Sequence, residues 1–513
     1  MNNILCQMQQ KAKGMLQQAV TIMIMPLLLA IGPIAAKAKS PQEIEKNLDA
    51  FIEKLQTELN VLPGISIAIV HKDQILLTKG YGVGDIETNA PFKADTYTYI
   101  ASGTKALLGL SIATLAERGE LDLDAPIGAT YLQHMDQDNL GLFASVTLKQ
   151  LLTHSHGLNG DAIGFRTAYT GDITSHVIWD LLGKLEASDK GTVFQYSNFG
   201  YVAAAYVLEQ IYGENWQTLV ERTILAPAGM RHTTARISDL LGRDYARPHR
   251  WMGSTGRVPL YKRDNSMHAA GGHFTTANDM ARWLLLNLND GMIDGQQVVP
   301  ASAVRLSHAP LVAVEKTFYD FKRESHGLGW YDADYEGQRL FHHFGAYTGY
   351  RAHISMMPAV GLGVSVLSND MSPPSFNLPD MIAAYVYDIA QGKPGVAQKY
   401  DQKIAAIAKR MAPYVGRSRP ARPRNAPENE LILSGLYEND IFGVWELRAD
   451  KDKLRLHWGN SISDLTYVDR DGEKMLRFEV AGNGYLARPV RGDKGIIEGF
   501  VFGKNHLFKR KLH

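Results

Sequence analysis

The stretch YIASGTKALLGL, residues 99–110, places one basic side chain at the start of an apolar run. Ser102 and Lys105 lie three positions apart, and three leucines follow within five residues. This spacing predicts a buried helix, in which an ammonium group carries a large desolvation cost unless it is paired or neutral. The side chain of Lys105 must therefore either reach solvent or have a function that depends on its apolar surroundings.

Ser102 and Lys105 would share one face of this helix, because residues three apart are neighbours on an α-helix. A serine hydroxyl is a weak nucleophile until a base removes its proton, and a lysine is a base only when it is neutral. Burial lowers a lysine pKa and so favours the neutral amine. The pair alone is weak evidence, since a helix-capping serine and a lysine that extends to solvent have the same spacing.

Two further segments place polar side chains beside apolar runs. VFQYSNFGYVAAAYVLE has Tyr196 and Asn198 before a helical pattern, and FHHFGAYTGYR has His343 and Gly345 at the end of a strand pattern. The ordered set Ser-x-x-Lys, Tyr-x-Asn and His-x-Gly resembles the three motifs of the serine β-lactamase and penicillin-binding-protein-like family. The version with Tyr-x-Asn is similar to the class C β-lactamase-related branch, which includes D-aminopeptidases, DD-peptidases and family VIII esterases. The resemblance covers about residues 45–395.

The resemblance implies a catalytic role for three residues. Ser102 would attack the substrate carbonyl and become acylated, while Lys105 and Tyr196 would share the work of general base. A phenol titrates at about 10 when unperturbed, so Tyr196 needs nearby cations to act as a base near neutrality. Lys105 and His343 are the candidates for cations that would lower the pKa of Tyr196.

The same resemblance implies the residues that bind the substrate. Asn198 would hold the substrate amide, and His343 and Gly345 would form the third motif. The backbone N–H groups of Ser102 and of Ala346, which follows Gly345, would form the oxyanion hole; one such donor is worth roughly 3 kcal/mol in the transition state of acyl transfer.

The third motif departs from that of class C β-lactamases, which have lysine where this sequence has His343. A lysine is cationic at neutral pH and binds a substrate carboxylate, whereas a histidine is mostly neutral there. The histidine disfavours an efficient β-lactamase. The His-x-Gly motif resembles that of the D-aminopeptidase-like and esterase-like members. Arg351 could supply a cation for a carboxylate, but we expect a solvated strand residue.

Composition excludes several other functions. The 513 residues carry a formal net charge of +1, which gives no reason to expect nucleic acid as a partner. The only cysteine is Cys6, so no cysteine nucleophile or disulfide is expected in an exported chain. The pair His154 and His156 lacks the third ligand that zinc hydrolases have directly after it, and hydrogen-bonded histidines are the expected alternative. We therefore predict no metal and no cofactor.

The sequence predicts four regions. Residues 1–38 have the basic, apolar and small-residue order of a secretory signal cleaved after Ala38, and an uncleaved membrane anchor is the alternative. Residues 41–395 would form the serine hydrolase domain that the resemblance implies, of α/β class and similar to β-lactamases and transpeptidases, in which an antiparallel sheet is flanked by helices and a helical subdomain is inserted. Residues 396–430 would form a helix and an exposed linker. Residues 431–513 contain about eight short strand patterns, which predict a small antiparallel barrel resembling a lipocalin.

Together, these observations predict a periplasmic or secreted serine hydrolase. It would cleave amide bonds of D-amino acid or small peptide substrates through an acyl-enzyme. A carboxylesterase or weak class C-like β-lactamase is the alternative within enzymes. A non-catalytic penicillin-binding sensor is the alternative of another class, although a binder has no need for all of Ser102, Lys105, Tyr196 and Asn198. The partner is a small molecule or peptide, a membrane enters only through an uncleaved leader, and the sequence leaves the oligomeric state open.

Overall fold

A computed structural model describes residues 39–252, 254–416, 433–450, 453–492 and 496–511. The predicted leader and most of the arginine- and proline-rich linker lie outside the described residues. Within the described ranges, no helix combines the length and the apolar character that crossing a bilayer requires.

The described residues form the following helices and strands. Helices α1 to α14 are, in chain order, Pro41–Leu59, Thr104–Glu117, Ile127–Tyr131, Gln137–Leu140, Leu148–Leu152, Asp161–Phe165, Ser175–Gly183, Asn198–Tyr212, Trp216–Val220, Ala226–Ala228, Ala277–Leu288, Ala301–Ser307, Leu378–Ala390 and Val396–Met411. Strands β1 to β15 are Gly64–His71, Gln74–Asp85, Ala90–Pro91, Thr98–Tyr99, His249–Trp251, Thr255–Arg257, Phe274–Thr275, Met292–Ile293, Gln296–Gln297, Val312–Phe318, Phe321–His326, Tyr331–Tyr335, Gln338–Tyr347, Tyr350–Met357 and Leu362–Ser368. Strands β16 to β24 are Gly435–Asn439, Gly443–Asp450, Lys453–Trp458, Ser461–Asp464, Thr466–Arg470, Glu473–Val480, Asn483–Arg491, Ile497–Phe502 and His506–Arg510.

The first large sheet joins the two chain ends of the hydrolase region. Its order is β10-β11-β12-β13-β14-β15-β1-β2-β3, with antiparallel neighbours throughout. The apolar runs GISIAIV and QILLTKGYGVG predict the hairpin β1–β2, and the runs RLFHHFG, YRAHISMMP and LGVSVLSND predict the strands β13, β14 and β15. The structure confirms both predictions. Strand β1 pairs with β15, so the early hairpin completes the sheet that the later strands begin.

Helices cover both faces of this sheet. Helices α1, α13 and α14 bury apolar side chains against one face. Helix α2 and the helical region between β3 and β10 share the core on the other face. Helix α2 is buried around most of its circumference, which explains why its sequence lacks an amphipathic pattern.

The C-terminal region forms a second nine-stranded antiparallel sheet, in the order β19-β18-β17-β16-β24-β23-β22-β21-β20. Its two edge strands, β19 and β20, follow each other in the chain with only Leu465 between them, so the sheet nearly closes into a barrel. The interior is aromatic, with Trp445, Trp458 and Phe508 fully buried. The predicted fold class, an α/β fold with an antiparallel sheet flanked by helices and followed by a small all-β barrel, is confirmed, with nine strands in the nearly closed sheet in place of about eight.

The nearly closed sheet contacts the hydrolase region close to the third motif. The Thr348 hydroxyl donates to Ala481 O at 2.7 Å, and the Arg166 guanidinium donates to Ile441 O at 2.7 Å. The ring of Phe165 lies 5.2 Å from that of Trp458, at the edge of the C-terminal aromatic core. The two regions therefore meet beside the segment that follows β13.

Candidate active site

A short turn at Ala101–Gly103 precedes helix α2 and carries Ser102. Ala101 has a left-handed backbone with φ of 44°, a conformation that is uncommon for a residue with a side chain and often marks functional sites. Ser102 is half-buried, whereas Lys105, one turn further along the helix, is fully buried. The serine hydroxyl is thus accessible at the helix start and the amine lies behind it.

Lys105 Nζ lies at the centre of the site. It is 3.2 Å from Ser102 Oγ, 2.8 Å from Asn198 Oδ1 and 2.6 Å from Ala270 O. Burial lowers the pKa of Lys105 well below 10.5. A neutral amine donates its two N–H groups to Asn198 and Ala270, and its lone pair then remains for the Ser102 proton. The predicted neutral base is geometrically available.

Tyr196 lies just before helix α8, with its ring centroid 4.9 Å from Lys105 Nζ. Burial raises the pKa of the Tyr196 phenol above 10, and nearby Ser102 and Arg323 offset only part of the rise. The phenol oxygen is buried and forms no hydrogen bond of good geometry with the described residues. Tyr196 therefore keeps its proton at neutral pH, and Lys105 is the better candidate for the base that activates Ser102.

His343 faces the same site from strand β13, with its ring 6.4 Å from that of Tyr196. Its Nδ1 donates to Phe344 O at 2.7 Å, which leaves Nε2 as a hydrogen-bond acceptor. Nε2 is buried and has no partner among the described residues. Burial holds the pKa of His343 well below 6.5, so the expectation that His343 contributes a positive field at Tyr196 is wrong.

Arg323 on strand β11 is a cation that sequence reasoning missed. Its guanidinium stacks on the Tyr331 ring, 3.6 Å from the centroid, and its charge lowers the pKa of Tyr196. Burial lowers the pKa of Arg323 to about 10, so it remains charged at neutral pH. The segment FKRESH is rich in charged residues, and only strand alternation, with Phe321, Arg323 and Ser325 all buried, distinguishes this arginine from exposed neighbours.

The remaining predicted residues also lie at this site. Asn198 is the first residue of helix α8, and its Oδ1 accepts from Lys105, so its amide Nδ2 remains for a substrate. A side chain at Gly345 would clash with Ile100 O at 1.8 Å, so only glycine lets β13 pass beside the turn that carries Ser102. Ala346 follows directly on the same strand.

Several buried histidines lie near Tyr196. The ring of His154 lies 4.6 Å from that of Tyr196 and 4.9 Å from that of His326. His154 Nδ1 accepts from Ser197 N, and His156 Nδ1 accepts from Leu158 N, as expected for hydrogen-bonded histidines. In the part of the chain that the structure describes, no group of three or more potential ligands has metal-binding geometry.

Arg351 does not contact solvent, and the prediction of a solvated strand residue is wrong. Its guanidinium is fully buried and donates to Asp380 Oδ2 at 2.8 Å. It packs on the face of the sheet opposite to Ser102, because Ala346, with which it is paired, alternates with Gly345 along β13. Arg351 is therefore not placed to bind a substrate carboxylate directly.

The fold and these motifs define a β-lactamase/transpeptidase-like serine hydrolase. The Beta-lactamase family model matches residues 48–387, and the chain belongs to this family. Its members are serine hydrolases, so the predicted enzyme class is confirmed at the level of the family.

Individual relatives are distant. The Unguisins hydrolase ungD of Aspergillus violaceofuscus is 25% identical over 77% of this chain and 75% of its own length. Protein flp of Staphylococcus aureus is 26% identical over 64% of this chain and 63% of its own length, so the chain spans less than two thirds of that relative.

Solved structures share the fold. The octameric penicillin-binding protein homologue from Pyrococcus abyssi matches with a TM-score of 0.57 and 23% identity, over 91% of this chain and all of that one. The D-amino acid amidase from Ochrobactrum anthropi matches with a TM-score of 0.56 and 19% identity, over 67% of this chain and 98% of that one. At these identities the similarity concerns the fold.

Proposed function

We propose that this protein is an exported hydrolase that cleaves amide bonds of D-amino acid or small peptide substrates through an acyl-enzyme on Ser102. The observation that carries the proposal is the position of Lys105 Nζ, 3.2 Å from Ser102 Oγ with its other two hydrogen bonds satisfied. Export rests on the sequence pattern of residues 1–38 alone.

Acylation begins when Ser102 Oγ attacks the amide carbonyl and its proton passes to Lys105 Nζ. The carbonyl oxygen becomes an oxyanion that accepts from the N–H groups of Ser102 and Ala346. The C–N bond then breaks, and the leaving amine takes a proton delivered from Lys105 through Tyr196. Water attacks the resulting ester by the same route in reverse order and releases the acid and the free Ser102 hydroxyl.

His343 supports the choice of substrate. Its neutral ring presents an acceptor where class C β-lactamases present a lysine cation, so the third motif offers no charge to a substrate carboxylate. An amide with a free amino group suits an acceptor better than an anionic β-lactam does. The fold similarity to the D-amino acid amidase agrees with this choice without establishing it.

A substrate panel on one purified sample tests the proposal. D-amino acid amides and p-nitroanilides, their L enantiomers, short-chain p-nitrophenyl esters and nitrocefin are compared by kcat/KM. Turnover is expected to be greatest with the D-amides and to vanish in Ser102→Ala. Preferential turnover of esters or nitrocefin would favour the carboxylesterase or the weak β-lactamase instead. Stoichiometric labelling by a fluorescent penicillin without turnover of any substrate would indicate the penicillin-binding sensor.

A further inference from the structure

The third motif lies where β13 changes neighbours. Strand β12 pairs with β13 only at residues 338–342, whereas β14 remains paired as far as Tyr347. From His343 onward, the edge of β13 that faces away from β14 is therefore not paired with β12. Backbone N–H groups on that edge are available to a substrate, and Ala346 belongs to this part of the strand.

Arg351 on β14 contacts this segment from behind. Its NH1 donates to Gly345 O at 2.9 Å and to Ala352 O at 2.8 Å. Its Nε donates to Phe376 O at 2.9 Å, and its NH2 donates to Asp380 Oδ2 at 2.8 Å. Every guanidinium nitrogen has a partner, so the buried side chain is fixed in one geometry.

Gly345 O and the N–H of Ala346 belong to one peptide unit. That unit is planar, and its C=O and N–H bonds point in opposite directions. A donor that fixes the Gly345 carbonyl on the β14 side therefore also directs the Ala346 N–H toward the open edge. A hydrogen bond to the carbonyl oxygen also polarises the peptide and strengthens its N–H as a donor.

We propose that Arg351 is a positioning residue for the oxyanion hole, because its guanidinium holds and polarises the Gly345–Ala346 peptide from the back of the sheet. The inference rests on the proposed function, in which the Ala346 N–H stabilises the oxyanion. Asp380 contributes to this positioning, because its carboxylate keeps the Arg351 guanidinium oriented toward Gly345 O. The buried cation thus acts on the reaction through a peptide and never touches the substrate.

A hydrogen-bonded chain on the same face holds Asp380 in turn. His353 Nδ1 lies 2.8 Å from Asp380 Oδ1, His353 Nε2 lies 2.7 Å from Ser355 Oγ, and Ser355 Oγ lies 2.7 Å from the Tyr387 hydroxyl. The order Asp–His–Ser has the connectivity of a catalytic triad. All three side chains are nevertheless fully buried, so no substrate reaches Ser355, and the chain acts as a support for Asp380.

The test compares two buried carboxylates on helix α13. Arg351→Met combined with Asp380→Asn removes the cation without leaving an unpaired buried carboxylate. Asp388→Asn is the matched control, because Asp388 lies two turns further along α13, is equally buried and pairs with Lys393 and Lys399 away from Gly345. For each variant, kcat, KM, the rate of fluorophosphonate labelling and Tm are measured.

The double variant is expected to lose at least tenfold in kcat and in labelling rate, with KM changed less than twofold. An oxyanion donor acts in the transition state, so substrate binding is expected to persist. The control is expected to lower Tm and to keep kcat within twofold of the wild type. Equal kcat losses in both variants, or an unchanged kcat in the double variant, would overturn the inference.

Arg351→Lys provides a second measurement if the double variant does not fold. Lysine keeps the charge, but one amine does not span Gly345 O and Asp380 as the planar guanidinium does. We expect at least a threefold loss in kcat, and wild-type kcat in a folded Lys variant would contradict the inference. Ser102→Ala distinguishes a failure of the role proposed for Arg351 from a failure of the proposed function. An inactive Ser102→Ala beside fully active Arg351 variants rejects only the role of Arg351, whereas labelling that persists in Ser102→Ala rejects the proposed function.

Discussion

Two clusters of buried polar side chains, on opposite faces of the sheet at β13 and β14, differ in their hydrogen bonding. On the face toward Ser102, the Tyr196 phenol oxygen, His343 Nε2 and both ring nitrogens of His326 have no partner among the described residues. On the opposite face, Arg351 and Asp380 begin a chain of hydrogen bonds that continues to Tyr387.

This difference separates reactivity from stability. A buried polar atom without a partner costs about 1–3 kcal/mol, so folded proteins contain few of them. Several such atoms around one serine indicate groups that form hydrogen bonds with a bound substrate or with water. A continuous chain of satisfied groups does the reverse, because it fixes side chains in one arrangement and leaves no donor free for a ligand.

A matched pair of serine substitutions gives the sharpest test of this comparison. Ser102→Ala is expected to abolish fluorophosphonate labelling with little change in the free energy of unfolding, because Ser102 is half-buried. Ser355→Ala is expected to keep labelling but to cost about 1–3 kcal/mol, because it leaves His353 Nε2 and the Tyr387 hydroxyl without a partner. Labelling and urea denaturation of both variants measure the two effects. A stable but unreactive Ser355→Ala protein would contradict the assignment of the two faces.

Removal of the Lys105 amine is expected to have the next largest effect on reactivity. Lys105→Met is expected to slow acylation by about 10³-fold, because general-base catalysis contributes about 10²–10⁴ and Lys105 Nζ lies within hydrogen-bond distance of Ser102 Oγ. The measurement is the second-order rate of fluorophosphonate labelling. Lys262→Met is the control, since Lys262 is also a buried lysine, with a pKa that burial lowers to about 7, but it donates to Ala168 O and Ser266 O. Equal losses in both variants would show that burial of a lysine, and not contact with Ser102, is what matters.

The pH profile separates the amine from the phenol. Only neutral Lys105 accepts a proton, so the rate of acylation is expected to rise with pH through the lowered pKa of Lys105 and to level off below 10.5. Tyr196→Phe is expected to reduce kcat by about 10²-fold and to leave this rising limb in place, because burial raises the pKa of Tyr196 and the phenol does not titrate there. The pH dependence of kcat/KM for wild type and variant checks both statements. A rising limb that disappears in the phenylalanine variant would make Tyr196 the base.

The smallest expected effect concerns substrate choice. His343→Lys places a cation in the third motif and is expected to raise kcat/KM for carboxylate-bearing β-lactams roughly several-fold, because a lysine attracts a substrate carboxylate and a neutral imidazole does not. His343→Gln, which keeps the position neutral, is the control and is expected to give no such gain. Nitrocefin turnover measures the effect. An intact fold with unchanged nitrocefin turnover in the Lys variant would show that His343 does not decide between amides and β-lactams.

Much of the fold followed from local patterns. The hairpin β1–β2 and the strands β13 to β15 each depend on residues close in sequence. The spacing of Thr276 and Asp279 before an apolar run likewise predicts the start of α11, where the Thr276 hydroxyl accepts from Asp279 N. The three motifs placed Ser102, Lys105 and Tyr196 together because their order matches a known family. Arg323 was missed and the burial of Arg351 was misjudged, because an arginine on a strand gives no sign of whether its face of the sheet is covered.

The sequence by itself determined the motif residues, the α/β class and the small C-terminal β region, because these depend on residue type, spacing and periodicity. Tertiary structure alone decided the charge states and the orientation of the site. Whether Lys105 is neutral, whether His343 presents an acceptor and whether Arg351 holds the Gly345 carbonyl all depend on how deeply each group is buried and which distant segment contacts it. A local pattern predicts that a helix is buried, but it does not specify which distant groups pack against each side chain and so set its charge state and orientation.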